Sequence, residues 1–191
     1  MVRPELEQLV GGNERVLWSG APNRRAFLLR SMLNILLPIS ILWCCFDIPV
    51  IVDSINDIIS GSDTFKWFTI PFFFFHMFPV WLYLGTIITS FVRLRNTGYI
   101  ITDKSVYISG GVFALNSQVK PLVKLSTVTI SRGLIDKWCK VGSVVLNDDT
   151  TTNSNRANFF SANSQDLQFL ADYERVFALV RDTQAKAFLG T

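Results

Sequence analysis

The chain has 191 residues, a formal net charge of +3, three cysteines and one histidine. So small a net charge gives no case for a nucleic-acid partner, and three cysteines cannot form a disulfide framework. The length accommodates a membrane part of about 70 residues and one further domain of about 95.

The first 25 residues are predicted to form a cytoplasmic N-terminal segment. Residues 1–13 are polar and predict either loose chain or an added helix turn. In the stretch that follows, Val16 and Trp18 share one side of a period-2 pattern, and Ser-Gly-Ala-Pro predicts a turn. Trp18 is either an interfacial membrane anchor or a side chain that packs on the following domain.

Two apolar stretches, 26–52 and 67–92, dominate the first half of the chain. The second contains no Asp, Glu, Lys or Arg and exceeds the about 20 residues that a helix needs to cross a bilayer core about 30 Å thick. The first carries Arg30 and Asp47, both close to its ends. The two stretches predict a transmembrane helical hairpin over 26–92 with a short outer loop at 53–66.

Charge is distributed unequally around the predicted hairpin. The loop 53–66 holds three acids and one lysine, whereas five basic residues flank the spans on the other side. The positive-inside rule then predicts a multi-pass protein of the cell (inner) membrane with both termini in the cytoplasm. The five juxtamembrane residues are Arg24, Arg25, Arg30, Arg93 and Arg95.

His76 lies in the middle of the second span, beside four phenylalanines. It is either a functional intramembrane residue or a neutral histidine hydrogen-bonded to the partner helix. Asp47 is expected near the outer end, so no acid or base is expected at the depth of His76. Pro71 and Pro79 predict kinks.

Beyond Arg95 the pattern changes to short strands and one final helix. Period-2 runs and turn residues predict strands at 99–102, 105–109, 112–115, 125–131, 142–147 and 156–161, with an edge strand or loop at 118–124 because of Pro121. A helix is predicted from Asn163 or Ser164 to about Ala187. Its apolar stripe consists of Leu167, Leu170, Tyr173, Val176, Phe177 and Val180.

These elements predict a membrane α-helical hairpin plus an all-β barrel or sandwich at 96–191, closed by a C-terminal α-helix. The order resembles a bacterial membrane-anchored family with two spans before a pleckstrin-homology (PH)-like domain. The residues that carry the resemblance are Glu14–Pro22 (Glu, a hydrophobic residue, then Gly-x-Pro), the hairpin Asn96–Tyr107, the turn Gly110–Phe113 and the step Lys140–Val144. Ser105 stands where the family hairpin has a basic residue, and Lys140 stands where it has a glycine.

The sequence predicts no enzymatic activity, no cofactor and no metal. With its one histidine in an apolar stretch, the β-rich part cannot assemble a Ser-His-Asp or Cys-His set, and no C-x-x-C, H-E-x-x-H or phosphate-binding glycine loop occurs. The resemblance implies no catalytic residues or cofactor either.

The leading hypothesis is a non-enzymatic integral membrane protein with a cytoplasmic PH-like binding or assembly module. Its expected partners are the bilayer and a protein partner or a second copy. The alternatives are recognition of anionic lipid headgroups and a role as accessory subunit of a transport complex. The candidate lipid- or partner-binding residues, which could equally belong to a mixed solvated surface, are Lys120, Lys124, Arg132, Lys137 and Lys140.

Overall fold

The computed structural model describes residues 4–61, 67–148 and 166–189. The chain divides into two compact units: a helical unit, Arg30–Ser90, and a domain assembled from Met1–Leu29 and Phe91–Thr191. The domain therefore extends beyond the predicted 96–191, because the N-terminal segment belongs to it.

The elements follow in chain order. They are α1 (Pro4–Gln8), β1 (Val16–Gly20), α2 (Arg24–Met32), α3 (Leu36–Ser60), α4 (Thr69–His76), α5 (Phe78–Asn96), β2 (Gly98–Thr102), β3 (Ser105–Gly110), β4 (Asn116–Pro121), β5 (Leu125–Ser131), α6 (Leu134–Trp138), β6 (Gly142–Asp148), β7 (Leu167–Leu170) and α7 (Tyr173–Leu189).

The first apolar stretch is divided between α2 and α3. The side chain of Asn34 accepts a hydrogen bond from the backbone N–H of Leu36 at 2.8 Å, which fixes the start of α3. The helix then continues to Ser60 and ends at Gly61, whose φ of 68° is the left-handed conformation common after a helix. The predicted start of the outer loop at residue 53 is therefore wrong, because residues 53–60 contain no proline or glycine and stay helical.

The second apolar stretch forms two helices, α4 and α5, that meet at an angle of 51°. Pro79 explains the break, since it has no N–H for the carbonyl of Phe75 and its ring would clash with that carbonyl. Pro71 lies in the first turn of α4, where proline is tolerated. Among the described residues, α3 is the one single helix that is long and apolar enough to cross a membrane, and α4 with α5 can do so only as a bent pair.

The described part of the domain contains two antiparallel sheets. One has the order β1-β2-β3-β4 and the other β5-β6-β7. Most predicted strands are confirmed, and β4 is the edge strand that Pro121 indicated. Leu6 of α1 is buried against Ile100 and Tyr107, so the N-terminal segment is an added helix turn rather than loose chain.

One predicted strand and one predicted connection have a different structure from the one expected. Residues 112–115 form an irregular turn, not a strand, because Gly111 has a φ of 138° and turns the chain before β4. The connection at 133–138 contains the short helix α6. The predicted strand 156–161 and helix start at 163–164 lie outside the described residues.

The C-terminal helix begins later than predicted, at Tyr173, because residues 167–170 form β7. Phe169 has a φ of 54°, and β7 pairs irregularly with β6 at this point. This irregularity lets both Leu167 and Leu170 face the core, which a regular strand would not allow. All six residues of the predicted stripe contact one core between the sheets and α7, although two lie on a strand. Four are buried there, and Tyr173 and Phe177 are partly buried.

Candidate functional site

The structure separates the five candidate binding residues. Lys120 is buried, with 5% of its surface exposed, and its Nζ donates a hydrogen bond to the carbonyl of Leu146 at 2.6 Å. It therefore holds β4 to β6 and is not part of a surface. Burial raises the pKa of nearby Asp166, and Lys120 partly opposes that shift.

Of the four exposed candidates, Lys124 is separated from the others. It precedes β5, whereas Arg132 follows it, so the two lie at opposite ends of a strand about 20 Å long. Arg132, Lys137 and Lys140 all lie in the connection between β5 and β6. The guanidinium of Arg132 lies 5.0 Å from the ring centre of Tyr173.

The same connection exposes two large apolar side chains that the sequence interpretation missed. Leu134 is 85% exposed and Trp138 is 82% exposed. Their separation of four residues places them on one face of α6. In the sequence, this surface could have been recognised from a Leu and a Trp four residues apart with basic residues on either side.

The turn between β3 and β4 also exposes a large apolar side chain. Phe113 is 98% exposed in this turn. The side-chain amide of Asn96, the last residue of α5, donates to the carbonyl of Gly111 at 3.0 Å. The turn therefore lies beside the point where α5 ends.

A small apolar cluster joins the β5–β6 connection to α2 and α5. Ala26 and Phe27 of α2 pack with Val141 and Phe169, and Leu94 and Cys139 contact them. We call this part of the domain the helix-exit end. It consists of 24–29, 91–96, the turn 111–115 and the connection 132–141.

Four of the five arginines that the sequence predicts to be juxtamembrane belong to the helix-exit end. A cleft of about 670 Å³ is lined by Arg24 and Arg95 together with apolar side chains that include Leu28 and Phe91. Arg93 lies 5.6 Å from the ring centre of Phe27, and Arg25 is exposed. Arg30, also exposed, belongs to the helical unit.

The sequence motif around Glu14 has a structural role. Oε2 of Glu14 accepts hydrogen bonds from the Thr102 hydroxyl at 2.6 Å and the Tyr107 hydroxyl at 3.2 Å. Burial raises the pKa of Tyr107, and the negative charge of Glu14 adds to the shift. Trp18 is partly buried in the domain core, and its Nε1 donates to Asp172 at 3.1 Å. Of the two interpretations of Trp18, packing on the domain is the correct one.

In the helical unit, Asp47 and His76 form a pair. Nδ1 of His76 lies 3.0 Å from Oδ2 of Asp47, so the expectation that no acid lies near His76 was wrong. The expectation placed Asp47 at the helix end, but α3 continues well past it. Among the described residues, no group of three or more His, Cys, Asp or Glu side chains could hold a metal ion.

Comparison with protein families supplies the assignment. A family model described as a bacterial PH domain matches residues 58–179, which is more than half of the chain. The chain belongs to the bacterial PH domain family. The match begins near the end of α3, so β1 lies outside the matched region of this bacterial PH domain protein. Searches of curated proteins and of solved structures found no significant match.

Proposed function

We propose that this bacterial PH domain protein is a non-enzymatic integral membrane protein anchored by a two-helix hairpin. Its domain is a binding or assembly module at the cytoplasmic face of the cell membrane. The pairing of β1 with β2 is the observation that carries the proposal, because the two strands lie on either side of the apolar stretches in sequence.

β1 and β2 are neighbouring strands of one sheet. Trp18 is opposite Ile101, and Gly20 is opposite Tyr99. A hydrogen-bonded sheet cannot be divided by a bilayer, so a chain that crosses a membrane between Gly20 and Gly98 does so an even number of times. One crossing alone is incompatible with this pairing, whereas α3 followed by the bent pair α4–α5 gives two.

The burial pattern of the helical unit supports contact with lipid. The buried residues of α3 are Ser40, Asp47 and Ser54, spaced seven residues apart, while Ile41 and Phe46 are exposed. A helix of a water-soluble protein buries its apolar face and exposes its polar face. The inverse pattern is typical of a helix whose polar side chains face other helices and whose apolar side chains face acyl chains.

The polar contacts inside the helical unit fit the same environment. The Ser40 hydroxyl donates to the carbonyl of Pro79 at 3.2 Å. Indole N–H groups serve two carbonyls at the α4–α5 break, with Trp43 donating to His76 at 3.0 Å and Trp81 donating to Phe74 at 2.8 Å. In hydrocarbon an unpaired carbonyl costs several kcal/mol, so these contacts stabilise a break inside a membrane.

The orientation rests on charge. Arg24, Arg25, Arg93 and Arg95 lie where the chain passes between the domain and the helical unit. By the positive-inside rule this side is cytoplasmic. The domain and both termini then lie in the cytoplasm.

The proposed binding role is supported by strands at the edges of the two sheets. Within the described residues, β4 and β5 each pair with a strand on one side only. Val119 on β4 and Ile130 on β5 are exposed. Such an edge can accept a strand from a partner or from a second copy of the chain.

Topology is tested with a reporter that is active only in the cytoplasm. Fused after Thr191 to the full chain it should be active, and inserted at Gly61 it should be inactive. The chain should also stay with the membrane in alkaline carbonate. Release by carbonate, or equal activity of the two fusions, contradicts the anchored hairpin.

The binding role is tested by a photo-crosslinking residue at Val119 in the full chain in cells, with the exposed Lys104 as matched control. We expect a discrete crosslinked protein or a dimer at Val119 and neither at Lys104. Equal products at both positions contradict docking on the β4 edge.

A further inference from the structure

Three highly exposed apolar side chains lie at one end of the domain. Leu134 and Trp138 are in the β5–β6 connection, and Phe113 is in the β3–β4 turn. Single exposed apolar residues are common on proteins. Here two separate connections present them at the same end, and this is the helix-exit end.

We propose that the helix-exit end itself contacts the anionic lipid surface of the membrane in which the protein is anchored. Phe113, Leu134 and Trp138 enter the interfacial layer, and Arg132, Lys137 and Lys140 contact lipid phosphates. This inference rests on the proposed membrane anchorage and adds a second, charge-dependent contact to it.

The position of these residues favours lipid as the occupant. The carbonyl of Gly111, two residues before Phe113, is hydrogen-bonded to the last residue of α5. Cys139, next to Trp138, packs in the cluster that contains Leu94 of α5 and Phe27 of α2. The exposed apolar side chains thus belong to the part of the domain from which α2 and α5 continue into the helical unit.

The charge of the β5–β6 connection fits an anionic surface. It holds three basic residues and one acid, Asp136, whose Oδ2 accepts a hydrogen bond from the N–H of Gly133 at 2.7 Å. That acid is therefore engaged within the connection. Tryptophan and basic side chains together are the residues that favour the headgroup region of a bilayer.

The cleft between α2 and α5 also combines basic and apolar side chains. Its lining combines Arg24 and Arg95 with Leu28 and Phe91. Guanidinium groups bind phosphate, and the apolar side chains suit the start of an acyl chain. Because the anchor holds the domain near the leaflet, even a weak contact of this kind is populated.

The test measures the depth of spin labels in the full chain. Cys44, Cys45 and Cys139 are replaced by alanine, and single cysteines are placed at Phe113, Leu134 or Trp138. The control is Lys104→Cys in the β2–β3 turn, at the other end of strand β2. The protein is reconstituted in nanodiscs of phosphatidylcholine with or without phosphatidylglycerol.

With phosphatidylglycerol present, the three labels should be more accessible to oxygen than to a water-soluble nickel complex, and the label at residue 104 should show the reverse. The variant Arg132→Gln/Lys137→Gln/Lys140→Gln should move the label at residue 138 toward water only in the anionic nanodiscs. Full accessibility of that label to the nickel complex overturns the inference. So does a label protected from both reagents regardless of lipid charge, which indicates a protein contact.

A label at Phe74→Cys, an exposed position of α4, separates the two proposals. If it lies in lipid while residue 138 is in water, the inference is wrong and the anchored hairpin stands. If it is also in water, the membrane anchorage itself is wrong.

Discussion

The imidazole of His76 pairs with the carboxyl of Asp47, Nδ1 to Oδ2, at 3.0 Å. Asp47 is only 3% exposed. The backbone carbonyl of the same histidine accepts a hydrogen bond from Trp43 of α3. α3 therefore stabilises the break between α4 and α5 by contacting both the side chain and the backbone carbonyl of His76.

Removing one member of this pair should be costly. His76→Ala leaves the carboxyl of Asp47 buried without its partner, and we expect the free energy of unfolding to fall by about 3 kcal/mol. Thermal unfolding of the full chain in mild detergent measures the loss.

The double variant His76→Ala/Asp47→Asn should recover part of that loss, because a neutral amide is less costly to bury than a carboxylate. Additive losses in the double variant would show that the pair is not coupled.

Pro79→Ala should straighten the α4–α5 pair. The substitution restores an N–H that can donate to the carbonyl of Phe75, so the angle of 51° should decrease. Spin labels at the exposed positions Phe72 and Ile88 should then lie farther apart in a double electron–electron resonance measurement.

Pro71→Ala is the matched control, because that proline lies in the first turn of α4. A distance that changes equally in the two variants would contradict Pro79 as the cause of the bend.

Gly111→Ala should destabilise the domain by about 3 kcal/mol. The φ of this residue is 138°, and an added Cβ would lie 1.8 Å from the carbonyl oxygen of Ala114. The domain's thermal unfolding should shift to lower temperature. Gly12→Ala, where nothing lies within 4 Å of the added atom, should leave it unchanged.

Lys140→Gly should stabilise the domain. Lys140 has a φ of 54°, which costs an ordinary residue about 1–2 kcal/mol, and glycine removes that cost while losing about 0.4–1 kcal/mol through the unfolded state. We expect a net gain of about 0.5–1 kcal/mol in chemical unfolding.

Lys137→Gly, inside α6, should have the opposite sign. A loss of stability at both positions would contradict strain at Lys140. The departure from the family glycine at this position was visible in the sequence, but the left-handed conformation that favours glycine there was not.

Much of the domain follows from local patterns. Alternating apolar residues placed β2, β3, β5 and β6, since each strand carries its own period-2 signal. The change to a strand at Leu167 was hidden because a left-handed residue, Phe169, breaks that period.

Contacts between distant segments were beyond local patterns. The pairing of Asp47 with His76 depends on the length of α3 and on the bend after α4, and neither is recorded in the residues around them. The burial of Lys120 likewise depends on β6, which lies 22 or more residues further along the chain. Leu134 and Trp138 were recognisable only as apolar residues, because exposure is a property of the folded surface.

The pairing of β1 with β2 also has a consequence in time. β1 is synthesised first, but its partner emerges only after both apolar stretches have left the ribosome. The hydrogen bonds of Glu14 to Thr102 and Tyr107 also cannot form until β2 and β3 have emerged. Completion of this sheet is therefore a late step of biogenesis. In a nascent chain stopped between Gly20 and Gly98, β1 has no β2 to pair with.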